Sequence, residues 1–592
     1  MVDPAIPPFL PVLAAALLVP LLGRRAGHAL GVLVTAVLVP YVWLVPAGAH
    51  VQTLLFGFDA VLFNVDGFSR LMGLIFGFIG AVAVLYSWAS GADERQTAFA
   101  LGYVGTSLGA VFGGDWLSLI FFWELMAVTS TLLVWHYGGR AVRAGFRYAL
   151  LHGIGGTLLL GAIVWHYVEA GTFLFGSVPG GPATVGLAGT VAPVLAAVGI
   201  GVNVGFIGLH AWLPDTYPRP HIAASVFLCV FTTKTGVYGM FRAFPDGQLA
   251  VAYMGALMAV FGAGMALLQG DMRRLLSYHI QSQVGYMVAG VGLGTALATA
   301  GAFGHVFNHI LYKSLLFMTV GVVIYRTGEE HLEELGGLWR KLPVTAVAFL
   351  IAALSIAGFP GFNGFVSKGM VLGAAHKEHY DVLWYLLLAG GVGTFLSFIK
   401  LGYYVFLHGE YDGDVRPANL GQKVAMVAVA IPCVVFGVYP PALFAILPDT
   451  GSYEYTTFTV GHVQEGLILA ALGVVGFVIL KKPLAKVGRV PDVDAVYNRA
   501  GFYGTRALVV GVTELYAAVD RATVATTGAV AAAVRDPAGT LGGIDAVRSL
   551  AGDEAAVNGD RETTGGVDLA AGFGTSVLLV TLLLVVALLL LV

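Results

Sequence analysis

Glu124 stands in Phe-Phe-Trp-Glu-Leu-Met, Lys234 in Phe-Thr-Thr-Lys-Thr-Gly-Val-Tyr-Gly and Lys400 in Leu-Ser-Phe-Ile-Lys-Leu-Gly, each inside an apolar run long enough to cross a bilayer. A charge at the centre of a membrane helix costs about 2.5–3.5 kcal/mol on insertion scales, so each of these residues is a functional candidate. His305, His309 and Lys313 follow one another at four-residue spacing, which puts all three on one helix face. Lys368 comes just after Gly358-Phe-Pro-Gly-Phe-Asn-Gly364, a run that breaks a helix. An acid, several lysines and a His-His-Lys stripe within apolar sequence form a titratable chain, suited to passing protons rather than to making covalent bonds.

Lysine suits such a chain and arginine does not. A carrier must release its proton near neutral pH, so a lysine pKa has to fall from about 10.4, at a cost of some 4–5 kcal/mol. Desolvation and a neighbouring cation can supply that much. Arginine stays charged, so Arg242, Arg273 and Arg274 read as fixed charges or topology anchors. Structural alternatives stay open: a buried ion pair for any member, a packing histidine at His305, a snorkelling lysine at Lys400.

The elements that must position these residues are membrane helices. Of 592 residues, 58% are apolar and only 11% charged, too few charges to cover a soluble surface. Roughly sixteen apolar runs are long enough to span. They fall at 5–22, 29–45, 67–89, 97–113, 116–137, 141–168, 187–213, 221–244, 249–269, 275–294, 301–325, 343–375, 382–407, 422–447, 461–480 and 569–592. With the N-terminus outside, the loops carrying Arg24, Arg25, Arg95, Arg140, Arg143, Arg219, Arg273, Arg274, Arg326, Arg340, Lys341, Lys481, Lys482, Lys486 and Arg489 all fall inside, as the positive-inside rule requires. The first run has no Lys or Arg before it, which suits a retained anchor better than a cleaved signal. Residues 481–568 are too polar to span. Their first part, 495–534, predicts a helix along the cytoplasmic membrane face, with a loose linker as the alternative; 535–568 reads as a linker. Cys229 and Cys433 lie in apolar runs and cannot by themselves hold a cluster or a structural zinc. The net charge of −3 and the lack of a basic stretch give no sign of nucleic-acid binding.

His210-Ala-Trp-Leu-Pro-Asp215, Lys234-Thr-Gly-Val-Tyr, Asp271-Met-Arg-Arg-Leu-Leu-Ser-Tyr-His-Ile-Gln-Ser-Gln-Val-Gly-Tyr286, His305-Val-Phe-Asn-His-Ile-Leu-Tyr-Lys313 and Gly364-Phe-Val-Ser-Lys368 together resemble the proton-conducting membrane subunit family. That family includes the D-type subunit of multi-subunit (Mrp-type) Na+/H+ antiporters and the antiporter-like membrane subunits of respiratory complex I. The resemblance implies an all-α polytopic membrane protein with two inverted five-helix repeats, each with a broken helix, at 97–244 and 249–409. Around them would lie N-terminal helices (1–96), C-terminal helices (422–480), a cytoplasmic lateral segment (481–568) and a final anchor (569–592). It implies that Glu124 modulates a lysine, that Lys234 is a central channel lysine, that His305, His309 and Lys313 form the connecting relay, and that Lys368 serves the second broken helix. One position departs from the pattern: Asn203 stands where family members commonly carry a broken-helix lysine. Glu124 then needs another partner, with Lys234 favoured and the hydroxyls of Thr129 or Ser130 as the alternative; the first half-channel is otherwise altered or inactive.

The expected activity is translocation of H+ and Na+ within a multi-subunit cation/proton antiporter in the plasma membrane. The partners are other membrane subunits and the lipid bilayer, and neither a cofactor nor a metal is expected. The alternatives are a proton-pumping subunit of a redox-driven, complex I-type enzyme, in which this chain still performs no catalytic chemistry, and a structural subunit that has lost transport.

Overall fold

The structure, a computed structural model, describes residues 5–175, 186–484, 487, 490–537 and 539. The expected anchor at 569–592 and nearly all of the expected linker lie outside the described residues. The chain divides into two units, Met1–Tyr497 and Asn498–Val592.

Helices dominate the first unit. It opens with α1 (Phe9–Leu44), a strand pair β1 (Gly48–Leu55) and β2 (Phe58–Val65), then α2 (Gly67–Ala89), α3 (Glu94–Phe112), α4 (Trp116–Trp135) and α5 (Arg140–Ala170). Next come α6 (Val191–Val204), α7 (Trp212–Thr216), α8 (Ile222–Leu228), α9 (Phe231–Ala243), α10 (Leu249–Leu267), α11 (Met272–Leu293) and α12 (Ala296–Thr327). The unit continues through α13 (Pro343–Ala357), α14 (Asn363–Lys377), α15 (Asp381–Gly402), α16 (Leu420–Val438), α17 (Pro440–Phe444) and α18 (Val460–Leu484). A last helix, α19 (Asp494–Arg535), carries the chain into the second unit, and no residue of it is buried.

Among the described residues, 10 helices are long and apolar enough to cross a membrane. Part of the difference from the sixteen expected runs has local causes, and α3 and α11, though 19 and 22 residues long, are not among the 10. The first helical run holds two of them, broken at Gly23 (φ 71°) beside the Arg24–Arg25 pair. The runs at 187–213 and 343–375 are interrupted helices whose longer pieces, Val191–Val204 and Pro343–Ala357, are too short to cross alone. The all-helical expectation needs one addition, the antiparallel pair β1–β2, which turns at Phe56 (φ 53°) and Gly57 (φ 86°).

Short polar side chains start many of these helices. Asp66 caps α2 in a reciprocal box with Ser69, and Asp115 and Asp271 accept from the third backbone N–H of α4 and α11. Asp115 also accepts from Val61 N at 2.7 Å, which fixes β2 against the start of α4. Both aspartates sit in isolated bridges, to Leu174 after α5 and to His331 after α12.

The two interrupted helices share a device. Gly205 (φ 77°) ends α6 and Gly208 (φ 93°) follows; Gly358 (φ 83°) ends α13 and Gly361 (φ 91°) follows. These left-handed conformations strain any residue with a Cβ. Carbonyls flanking each break are taken by side chains, as an interior without water demands. Trp212 Nε1 donates to Val202 O (2.9 Å) and Gln281 Nε2 to Gly205 O (3.0 Å). At the second break Lys368 Nζ donates to Ile356 O (2.7 Å) and Asn308 Nδ2 to Asn363 O (2.8 Å).

Small residues let the central helices approach closely. A Cβ on Gly262 of α10 would lie 2.6 Å from Ser282 N, and one on Gly285 of α11 would lie 2.7 Å from Ala259 N. The helices that carry the candidate chain are the most enclosed. The apolar window of α12 is 94% buried and that of α8–α9 100%. Cys229 and Cys433 are free thiols in the packed interior.

Candidate functional site

Lys234, His305, His309 and Lys313 are fully shielded from solvent, and Lys368 and Lys400 are nearly so. The structure differentiates them by what they bond. Lys234 Nζ donates to Cys229 O (2.5 Å) and Thr233 Oγ1 (3.0 Å). Cys229 is the first residue past α8, in the non-helical step before α9, so its carbonyl is free to accept. Lys368 Nζ holds Ile356 O and sits 4.7 Å from the centre of the Tyr286 ring. Lys313 Nζ makes no hydrogen bond and faces the rings of Phe398 (5.8 Å) and Phe317 (6.0 Å).

The His-Lys stripe lies on α12 as its spacing requires. His305 is fully engaged. Its Nδ1 is 2.9 Å from Ser367 Oγ, and its Nε2 is 3.3 Å from Gln283 Oε1 and 3.2 Å from Tyr312 Oη. Since Gln283 Oε1 only accepts, Nε2 carries the hydrogen and Ser367 donates to Nδ1. His309, one turn on, has no partner at either ring nitrogen. Its ring lies 6.3 Å from that of His305 and 5.3 Å from that of Tyr312.

Glu124 and Lys234 are not brought together. Among the described residues Glu124 makes no ion pair and accepts no hydrogen bond, and its Oε1 is buried. The expected pairing with Lys234 is absent because that amine is bonded within its own helix pair. The alternative partners are also engaged elsewhere: Thr129 with Leu125 O and Thr106, Ser130 with Met126 O and Tyr148. Gly156 of α5 gives the carboxylate its place, because a Cβ there would collide with Oε1. Beside it a cavity of about 200 Å³ is lined by Glu124, Thr131, Trp135 and Gly153.

A line of hydroxyls runs between α3, α9, α5 and α4 without bonding either Glu124 or Lys234. Tyr103 Oη lies 2.5 Å from Thr232 Oγ1, Thr232 Oγ1 2.9 Å from Tyr148 Oη, and Tyr148 Oη 2.9 Å from Ser130 Oγ. Thr232 stands two residues before Lys234, and Ser130 is on the helix of Glu124. Asn203 is buried at the end of α6, and neither amide atom has a partner. It packs on α9, where a Cβ on Gly236 would lie 3.2 Å from its Cβ.

Lys400 is set apart from this line. Its Nζ donates to Leu267 O (2.8 Å) and Gln269 O (2.9 Å), capping the carbonyl end of α10. Arg242 pairs with Asp66 and donates to Tyr238 Oη at 2.8 Å, a fixed charge locked among aromatic rings. Arg273 donates to Pro220 O (2.7 Å) and pairs with Glu330 (2.5 Å), tying the start of α11 to two loops.

Several polar residues at the site were not singled out from sequence. Gln283, Ser367 and Asn308 orient His305, and Asn308 Nδ2 lies 3.1 Å from Ser367 Oγ. His279 on α11 is buried with both ring nitrogens unbonded, its ring 4.7 Å from Phe398, the same ring that Lys313 faces. Polar residues crowding the run Asp271–Tyr286 were the available signal. Asp492 is a further case. It accepts from Tyr278 Oη (2.5 Å) and lies 3.2 Å from His210 Nε2, at the first break. Burial opposes its charge, but the bonds from His210 and Tyr278 prevail and hold the carboxyl below its ordinary range. Nearby, Arg147 bridges Asp215 (2.7 Å) and Asp494 (3.1 Å).

Comparison with known proteins gives a consistent picture. Residues 113–397 match the family model described as NADH:quinone oxidoreductase/Mrp antiporter, TM. The D-type subunit of the Na(+)/H(+) antiporter of Alkalihalophilus pseudofirmus is 30% identical over 376 residues, covering 61% of this chain and 76% of that protein. The NAD(P)H-quinone oxidoreductase chain 5 of Picosynechococcus sp. is 27% identical over 542 residues, covering 78% of this chain and 80% of that one. Among solved structures, a chain of the membrane-bound sulfane sulfur reductase, an archaeal respiratory membrane complex, superposes with a TM-score of 0.68 at 26% identity. That superposition covers 82% of this chain and 86% of the other.

Proposed function

The chain belongs to the NADH:quinone oxidoreductase/Mrp antiporter family, and from that premise we propose that it carries protons across the membrane along Lys234, Lys313, His309, His305 and Lys368. It is an antiporter-like, multi-pass membrane subunit whose relatives work in multi-subunit complexes. One observation carries the proposed route: Lys313 and His309 are fully buried on one face of α12 without a hydrogen-bond partner, between lysines that are themselves bonded only to neutral groups. Groups left so are free to gain and lose a proton without breaking a salt bridge. Glu124 modulates this line without direct pairing, from α4, the helix that also carries Ser130 of the hydroxyl line. Lys400 is a cap rather than a carrier. Asn203 replaces a titratable side chain with a neutral amide, so the route through the first half runs by the hydroxyls.

In the first reading the assembly is a cation/proton antiporter with H+ and Na+ as the ions, in the plasma membrane, with the N-terminus outside and α19 on the cytoplasmic face. The two breaks belong to two inverted halves, 97–244 and 249–409. The second reading, a redox-driven proton pump, has its own support. The match to the NAD(P)H-quinone oxidoreductase chain runs over 542 residues, against 376 for the antiporter relative. Copurification of the native complex separates them: flavin or iron–sulfur partners favour the pump, small cofactor-free membrane partners the antiporter.

The route itself is tested by Lys234→Ala and Lys234→Arg in the native complex reconstituted in vesicles, with transport read as ion-coupled pH change. Both variants assemble and neither transports, since arginine keeps its proton. Full activity of the arginine variant refutes the carrier role.

A further inference from the structure

Beyond Lys368 the proposed route needs a way out, and α18 brings two ionisable groups to that place. His462 and Glu465 stand three residues apart on one face near the start of this helix, ahead of its long apolar stretch. His462 lies face to face with Phe365 of α14, with ring centroids 3.9 Å apart and planes at 8°. It fills the place that a Cβ on Gly369 would take, directly after Lys368. Gly466 packs on Pro360, inside the second break, with a would-be Cβ 3.3 Å from the proline ring. His462 therefore abuts α14 at Phe365 and Gly369, the residue after Lys368, and Gly466, next to Glu465, abuts the second break at Pro360.

The tautomer of His462 points the same way. Its Nδ1 is 2.8 Å from Thr457 O, an acceptor only, so Nδ1 carries the hydrogen. Nε2 is left with a free lone pair and no protein donor, and it faces Gly369. Glu465 is half-buried and forms no ion pair among the described residues. The ionisable groups around the pair are Tyr286 from α11 and Tyr455 from the preceding loop, and Lys368 from α14 stands 4.7 Å from the centre of the Tyr286 ring. Tyr455 Oη is 3.3 Å from His462 Nδ1, and Tyr286 Oη donates to Leu387 O at 2.5 Å. On α15, Asp381 and Tyr385 are exposed, and Lys400 is bonded to the end of α10. Among the described residues, no arginine or lysine neutralises the carboxylate.

We propose that His462 and Glu465 form the outward port through which a proton leaves the Lys368 site. The Lys368 ammonium gives up one N–H proton and becomes a neutral amine. The proton is taken up at His462 Nε2, passes to the Glu465 carboxylate as an O–H, and leaves to outside water, regenerating the carboxylate. The inference rests on the proposed route and on the orientation that puts the start of α18 outside.

The test uses the native complex in vesicles. Glu465→Gln slows transport on the order of a hundredfold, the scale of losing one positioned proton-transfer group. It also removes the dependence of the rate on outside pH while leaving the dependence on inside pH. Glu465→Asp restores both. His462→Phe keeps the stacking on Phe365 and still slows transport, so it carries the test if the glutamine variant does not assemble. Wild-type rates and pH profiles in Glu465→Gln or His462→Phe, with Lys234→Ala inactive, overturn the port and leave the route standing. Transport that survives Lys234→Ala overturns the route itself.

Discussion

Two adjacent glycines of α5 should respond in opposite ways to the same added methyl. A Cβ on Gly156 would meet Glu124 Oε1, lying 2.6 Å from Cδ and 3.1 Å from Oε2, and all three atoms belong to the far end of a flexible side chain. The glutamate can swing into the adjacent cavity of about 200 Å³. An off-rotamer side chain costs about 0.5–1.5 kcal/mol, and replacing glycine by alanine within a helix returns about 0.5–1 kcal/mol. Gly156→Ala should therefore unfold within about 1 kcal/mol of the parent. Gly155 is different. Its Cβ would lie 2.9 Å from Gly199 O and 3.0 Å from Val202 Cβ, atoms of α6 that cannot turn aside. Gly155→Ala must push α5 from α6 and should lose about 1–3 kcal/mol, as overpacked cores do. Thermal unfolding of the purified complex in detergent measures both, and vesicle transport measures function. Gly156→Ala should be stable but slow, because its glutamate has left α5. Wild-type transport in Gly156→Ala refutes a role for the carboxylate at that position. Equal stability of the two variants refutes the helix contact from which the difference is worked.

Asn203→Lys should place a cation in a buried pocket whose amide has no partner; the variant is expected to assemble and to alter the ratio of protons to coupled transport, and an unchanged ratio counts against a first half-route beside α6. Asp492 should make the docking of the segment before α19 depend on acid. Its folded pKa is depressed, so its contribution is complete above the unfolded value of about 3.9 and is lost as pH falls through the folded value. Hydrogen exchange at residues 490–497 should rise below that window in the parent, and Asp492→Asn should show the raised exchange already at neutral pH; identical profiles would contradict the His210–Asp492–Tyr278 anchor.

Much of this was legible in the chain because glycine and charge punctuate membrane helices strongly. Gly23-Arg24-Arg25 marks a turn between two apolar runs, and the structure breaks its first helical run at that glycine. Gly358 and Gly361 mark the second break, and Lys368 falls one helical stretch later, as its sequence neighbours suggested. The four-residue spacing of His305, His309 and Lys313 is enough to align them, since a helix repeats every 3.6 residues. The strands at 48–65 escaped notice because their apolar residues blend into the flanking spans, and only the Phe56-Gly57 turn betrays them. The fit of Glu124 to Gly156 could not be read from sequence at all, because the residues lie on different helices and a glycine reveals its neighbour only when packed. His462 and Glu465 stand at the start of an apolar run, and nothing in the sequence distinguishes them from the ordinary polar edge of a span.

The unbonded members of the line also say something about cost. An ammonium or imidazolium buried without a partner is penalised by several kcal/mol even after relaxation, so a helix selected only for stability would pair Lys313 or replace it with leucine. The same helix shows that pairing was within reach. His305, two turns before Lys313, is held by Ser367 and Gln283, with Asn308 holding Ser367 in turn. At His309 and Lys313 the neighbours are rings instead: Tyr312, Phe317 and Phe398. The rings leave both groups without a fixed charge partner, whereas a neighbouring carboxylate would favour the protonated form and hold it in a pair. The stretch from bonded His305 to unbonded Lys313 is thus an ordered support followed by groups held in no fixed pair, the arrangement that the proposed relay requires.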